Sequence, residues 1–350
     1  MAYTTINKST DHFNTVLYTG NGSAGHAITG VGFAPDWTWI KIRSSGSHHT
    51  IFDRVRGATK SVNSDSDNAE STSSGHLTAF GSDGFTLGDN SGNGNTNADG
   101  STYAAWNWKA GGAGSANTDG TINTTVSANT TAGFSIITYT GTGSAGTIGH
   151  GLGVKPDYWM VKARSETRSW YGWHKSMPLG DVWNLNSNGA KSTDTSLFTN
   201  TAPTTSVINL GTSVGTNNNG ITFVCYAFAE KKGYSKFNSY IGNGNSNGQF
   251  IFTGFKPAYM LVKRIDGSDN WTLWDNKRES DMNPNNNVLF PSTNSAESTS
   301  DSSYLCDFLS NGIKWKGNST GMNADGANYN YLAFAEAPLV GTNNIPCTAR

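Results

Sequence analysis

Two pairs of acids in this chain stand where paired carboxylates could work. Asp53 closes the stretch Thr50-Ile-Phe-Asp53, and Asp275 closes Thr272-Leu-Trp-Asp275. Glu230 and Glu336 each follow Ala-Phe-Ala. Two carboxyl groups converging on one cleft are what glycoside cleavage requires, one as acid and the other as base or nucleophile. In each case a third, related position breaks the pattern: His174 stands where an Asp would be, and Ala110 where a Glu would be. Acids that change identity between related positions read more simply as polar residues at strand ends, and no catalytic residue is assigned.

Other residue sets point to binding. DNSGNGNTNADG, residues 89–100, carries side-chain oxygens at alternate steps as a cation loop does, with Asp89, Asn93 and Asp99 as the candidate ligands. Gly100 takes the place of the closing bidentate Glu, so an Asn/Gly turn competes with the cation reading. His48-His49 suits a metal only with a further partner, and is expected to lie in an exposed loop. HExxH, paired-Cys and GxSxG patterns are absent, and no Gly-rich stretch ends in the GK[ST] of a P-loop. Cys225, Cys306 and Cys347 are too few and too irregularly placed for a disulfide framework. Cys225 sits within an apolar run and is expected to be a buried, inert thiol. The aromatic clusters Trp170-Tyr171-Gly172-Trp173 and Trp271-Thr272-Leu273-Trp274 carry the binding hypothesis. Strand side chains alternate between faces. Trp170 and Trp271 would then point away from Tyr171 and Thr272, and an outward Trp stacks on a sugar or a protein partner. The competing reading packs all four into a core or between modules.

The elements that position these residues are written three times. FAPDWTWIKIR (residues 33–43), VKPDYWMVKAR (154–164) and FKPAYMLVKR (255–264) share a proline, an aromatic two residues later, and an apolar run closing on Lys41, Lys162 or Lys263. Proline lacks a ladder donor and suits the start of a strand, and the β-branched and aromatic run behind it is strand material. Upstream of the three lie Tyr18-Thr-Gly, Tyr139-Thr-Gly and Tyr240-Ile-Gly. Downstream lie the aromatic strands TYAAWNW, TFVCYAF and NYLAF. The landmarks keep their order in every copy, so one unit recurs.

Composition agrees with a β-rich chain. Charged residues are 14% and glycines number 42, yet aromatic residues reach 11%, more than a disordered chain would carry. The net charge of −1 leaves little counterion-release energy for nucleic acid. No apolar run is long enough to span a bilayer as a helix, and the start, MAYTTINKST, lacks a secretory pattern. Apolar runs alternate with period two and none shows helical spacing. The expected fold is all-β: three tandem antiparallel β-sandwich, jelly-roll-like repeats of about 100 residues. Residues 1–12 form a lead-in, 13–110, 134–233 and 234–337 the repeats, 111–133 a Gly/Ser/Thr linker, and 338–350 a polar tail. The second and third repeats, with almost no linker, should pack as neighbours. A pseudo-threefold arrangement is one way to place all three.

YTGNGSAG, GVGFAPDWTWIKIR, GHGLGVKPDYWMVKARS, YSKFNSYIGNGNSNGQFIFTGFKPAYMLVKR, the NADG turns and AFAEAPLV together resemble repeat-containing structural proteins of tailed, mostly marine, bacteriophages. The resemblance covers nearly the whole chain. It implies a non-enzymatic component of the virion surface, of the tail-appendage or capsid-exterior type, with no catalytic residues and no cofactor to carry over. The partners it implies are other virion proteins, with a host surface saccharide as a further candidate, and a homo-oligomer is compatible. The rival reading is a depolymerase acting on polysaccharide of the host envelope.

Overall fold

The structure, a computed structural model, describes residues 3–91, 95–279 and 283–341, together with Cys347. It is all-β and antiparallel. One strand order occurs three times: a first strand, the closing aromatic strand, the proline-led strand, and a short strand behind it. In chain terms these are Phe13–Thr19, Thr102–Trp108, Trp37–Ile42 and Thr50–Asp53; then Phe134–Thr140, Thr222–Phe228, Tyr158–Ala163 and Tyr171–His174; then Ser235–Ile241, Asn328–Pro338, Phe255–Arg264 and Thr272–Asp275. Matching residues face each other in register: Trp37 opposes Trp108, Tyr158 opposes Phe228, and Tyr259 opposes Phe334. Pro35 and Pro156 precede their strands. Pro257 lies inside one, where the ladder shifts register, as a residue without an N–H requires.

Alternation gives each large sheet two apolar faces. In the first repeat, Ile40, Ile42, Phe52 and Tyr103 pack on Ile28, Leu77, Phe85 and Leu87. The latter come from a small second sheet formed by His26–Ile28, Phe85–Leu87 and Leu77–Phe80. The third repeat uses Met260, Val262 and Trp274 against Ile251, Phe308 and Ile313 in the same way. These are sandwiches with unequal layers.

The opposite faces meet in the middle of the molecule. Trp37, Trp39 and Trp108, with Tyr158, Met160 and Phe228 and with Tyr259, Leu261, Leu332 and Phe334, surround a residual gap of about 10 Å³. The gap is lined almost wholly by apolar surface and has room for at most one water. Rings touch across every pair of repeats: Trp37–Tyr226 at 4.9 Å, Phe228–Phe334 at 5.8 Å and Trp108–Phe334 at 5.5 Å. The three sheets therefore close a ring around one aromatic core.

Two expectations about the connecting segments are corrected. Residues 111–133 are not a linker. Ser115–Asn117 and Thr124–Asn129 are strands, and the second pairs antiparallel with Phe134–Thr140. TINTTVSAN is Thr-rich and polar overall, yet it alternates enough to bury Ile122 and Val126. Nor does the lead-in stand apart. Ile6 is buried, and the Tyr3 hydroxyl donates to the Gly254 carbonyl at 2.6 Å, which fastens the start of the chain to the third repeat. Most of the polar tail 338–350, namely residues 342–346 and 348–350, lies outside the described residues.

Candidate functional site

The Tyr-x-Gly and NADG landmarks prove to be one structural device. The hydroxyls of Tyr18, Tyr139 and Tyr240 donate to the carbonyls of Thr96, Thr216 and Met322 at 2.6–2.7 Å. The next residue in each case, Asn97, Asn217 or Asn323, is buried and spends its amide on the Gly-x-Gly turn opposite. Gly20, Gly141 and Gly242 admit no side chain, because a Cβ would stand within 2.1–2.3 Å of a carbonyl oxygen. Single helical turns, Val214–Asn217 and Thr320–Asn323, carry two of the asparagines, each capped by a serine. Four residues show no periodicity, so the sequence gives no sign of these turns.

The expected aromatic platform is overturned. Trp170 is 0% exposed and Trp271 1%, and Thr272 is buried as well. Trp170 lies parallel to Tyr226 at 6.2 Å and donates from Nε1 to the Asn63 carbonyl of the first repeat at 2.7 Å. Trp271 meets Trp183 edge-on at 4.7 Å and donates to the Asn184 carbonyl of the second repeat at 3.0 Å. Tyr171 is half-buried beside Gly215. Alternation does send the two tryptophans to the opposite face, but that face is covered by the neighbouring repeat. At the matching position the first repeat has His49, also buried, whose Nδ1 accepts from Trp39 Nε1 at 3.2 Å. The exposed-loop expectation therefore fails for His49, whereas His48 is partly exposed and pairs with Asp65 at 2.7 Å.

The cation loop is not assembled as a site. Asp89 turns its Oδ1 onto the amide and hydroxyl of Ser91, at 3.0 and 2.6 Å. Asn93 lies outside the described residues, and Asp99 is in the NADG turn. Among the described residues no three His, Cys, Asp or Glu side chains group as metal ligands. No helix among them is long and apolar enough to cross a membrane. Cys225 is buried, and burial pushes its thiol well above its ordinary value.

The matched acids do not line a cleft. They join the repeats. Asp53 accepts from Tyr226 Oη of the second repeat at 2.7 Å and from Arg56 Nε at 2.5 Å. Arg56 reaches Glu70 at 3.1 Å, and Glu70 takes Arg164 of the second repeat in a two-point pair at 2.8 and 3.0 Å. Asp275 repeats the pattern toward the first repeat. It accepts from Trp106 Nε1 at 2.9 Å and Arg278 Nε at 2.6 Å, and Arg278 reaches Glu297, which pairs with Arg43. Burial alone would raise the Asp275 carboxyl, but the Arg278 guanidinium overrides it and holds the group below its ordinary value. At the third junction His174 replaces the acid, its Nε2 3.3 Å from the Tyr331 carbonyl, and Met177 and Ile265 stand where Arg56 and Arg164 stand. The signature lysines follow the same cycle. Lys41, Lys162 and Lys263 donate to the carbonyls of Asn294, Asp67 and Asn188, each on the preceding repeat of the cycle, and burial lowers each to about 8. Glu230 and Glu336 are paired at the surface, with Lys175 and Lys236 at 2.6 and 2.9 Å and with Asn276 at 2.6 Å. The sequence carried the signal for these junctions, a matched Asp-x-x-Arg in two repeats, but not its meaning.

Burial pushes the His174 imidazole down to about 3. In the unfolded chain it takes a proton near pH 6.5, while the fold resists protonation until about pH 3. Stability is therefore full above pH 6.5 and declines as pH falls toward 3, by as much as about 1.4 kcal/mol per unit. His49, also driven well below its ordinary value by burial, acts in the same sense. Urea midpoints are expected to drop between pH 7 and pH 5, and His174→Gln should make that decline shallower. An identical decline in the variant would refute the assignment to His174.

Compared with known sequence families, residues 8–338 match one described as a domain of unknown function, DUF7483, and the chain belongs to that family. No curated protein and no solved structure matches the chain.

Proposed function

We propose that this chain is a non-enzymatic structural protein of a tailed bacteriophage virion, exposed on the particle surface, where it serves host attachment or decorates the capsid. The observation that carries the reading is the closed cycle of bonds between repeats: Tyr226 to Asp53, Trp106 to Asp275, and His174 to the Tyr331 carbonyl. A cycle of this kind gives a single chain a rigid, threefold-like body suited to a fixed place on a symmetric particle. The matched acids that a hydrolase would need are committed to these junctions or to surface ion pairs. The outer turns are rich in Ser, Thr, Asn and Gly, a composition suited to adaptable, weak recognition. The resemblance noted from the sequence motifs supplies the virion context.

Mass spectrometry of purified particles should find the chain as a stoichiometric component, and gold-labelled antibody should place it on the tail or on the capsid. Absence from the particles would overturn the reading. So would steady release of reducing ends from host exopolysaccharide by the purified protein.

A further inference from the structure

The three repeats are built alike, so a place where one departs from the other two is informative. At one strand position the first repeat has Ser61, paired across strands with Ser71. The second and third repeats have Val182 paired with Ser192 and Val288 bridged to Ser298. A second position is fixed by a shared hydrogen bond. The amides of Gly88, Gly211 and Gly317 donate to the carbonyls of His76, Leu197 and Leu305 at 2.6–3.0 Å. The first repeat thus puts a serine and an imidazole where the others put valine and leucine. Beside them lies a recess of about 460 Å³, lined by His48, Ser61, Asn63, Asn68, Ser71 and His76. Its size falls within the usual range for small-molecule sites.

The lining defines the chemistry. Among the described residues, no carboxylate, ammonium or guanidinium lines the recess, and no large apolar side chain does. What faces it are hydroxyls, carboxamides and imidazoles, groups that both donate and accept. His48 is oriented by Asp65, whose carboxylate accepts from Nδ1 at 2.7 Å and raises the imidazole above its ordinary value, so Nε2 accepts from a ligand hydroxyl when the ring is neutral and donates to one when it is protonated. Asn63 is fixed by its bonds to the His49 carbonyl and the Thr50 hydroxyl. His76 is 1% exposed and forms the floor, edge-on to Phe52 at 6.3 Å. A bare apolar ligand would strip water from these polar groups without replacing it, and an anion would meet only an imidazole already paired with the Asp65 carboxylate.

We infer that this recess is a binding site for a neutral saccharide unit, formed, among the described residues, by the first repeat. It deepens the attachment reading and rests on it only for the source of the glycan. A ring of hydroxyls both donates and accepts, as the serines, asparagines and imidazoles of the lining do. A single site per chain gives no avidity by itself, and many chains on one particle would supply it.

The test is saturation-transfer NMR of the full chain with a panel of neutral hexoses, N-acetylhexosamines and their disaccharides, beside glucuronic and sialic acids. The variant Ser61→Val/His76→Leu installs the side chains that the other repeats carry there, and Asn68→Ala changes an exposed residue of the rim. At least one neutral sugar is expected to bind, with affinity at least tenfold weaker in the double variant and reduced in Asn68→Ala. Binding of acidic sugars alone, of no sugar at all, or of a neutral sugar equally well by both variants would overturn the assignment. Incorporation of the double variant into particles is read separately. Loss of sugar binding with normal incorporation keeps the virion reading intact, and absence of the chain from particles strikes that reading without touching the pocket.

Discussion

Replacing Asp53 by alanine is expected to destabilise the protein by about 3–5 kcal/mol, the cost of leaving a buried charge without its partner. Arg56 and Asp53 are both 0% exposed at the side chain, and Arg56 cannot escape its charge by releasing a proton. Removal of the carboxylate also strands the Tyr226 hydroxyl of the second repeat, so the damage falls on a junction as well as on one sandwich. Glu70 remains beside Arg56 but is shared with Arg164. The second repeat indicates the remedy. It carries Met177 where the first has Arg56, so Asp53→Ala/Arg56→Met should recover a large part of the loss, as apolar replacements of buried ion pairs do. Urea denaturation of both variants measures this. A loss below about 1 kcal/mol for the single variant would mean that water reaches Arg56 and that the junction is not dry.

This junction also shows how far the sequence could be read. The apolar, aromatic runs WTWIKI and YWMVKA behind a proline gave the strands, and the recurrence of proline, lysine and closing aromatics gave three units in their order. Alternation says which residues share a face, but not what covers that face. Trp170 falls on the face opposite Trp173, and alternation alone leaves both a sugar-binding surface and packing between modules open there; Tyr226 and the Asn63 carbonyl occupy it. The change from Asp53 and Asp275 to His174 looked like drift at strand ends. In the fold it accompanies the changes from Arg56 and Arg278 to Met177 and from Arg43 and Arg164 to Ile265. His174 and Met177 are close in the chain, but Ile265 lies on another repeat and joins them only when the ring closes. The strand Thr124–Asn129 was hidden for a different reason: its threonines and asparagine resemble loop composition, and only the burial of Val126 against the second repeat reveals the pairing. Polar recognition by Ser61 and His76 was illegible because serines in SVNSDSDNAESTSSG carry no mark of facing a recess.

Trp37→Ala should cost a similar amount, about 3–5 kcal/mol, by opening a cavity at the centre of the molecule. The manner of unfolding carries more information than the size of the loss. Trp37 is 2% exposed, and its ring meets Trp108 of its own repeat at 4.5 Å and Tyr226, Phe134 and Phe228 of the second at 4.9–6.0 Å. In an open array of repeats, each unit touches only its neighbours and the terminal ones can fray. Here the third repeat bonds to the first through Trp106 and Asp275, and the lead-in is fastened to Gly254, so no unit is terminal. A defect at one junction weakens the core that all three share. The variant should therefore keep a single urea transition, shifted to lower denaturant, with tryptophan fluorescence and circular dichroism coinciding. Two separated transitions, one holding the original midpoint, would mean that the repeats fold as independent sandwiches. The closed ring would then be only a contact between them, and the rigid body on which the particle-surface role depends would be lost.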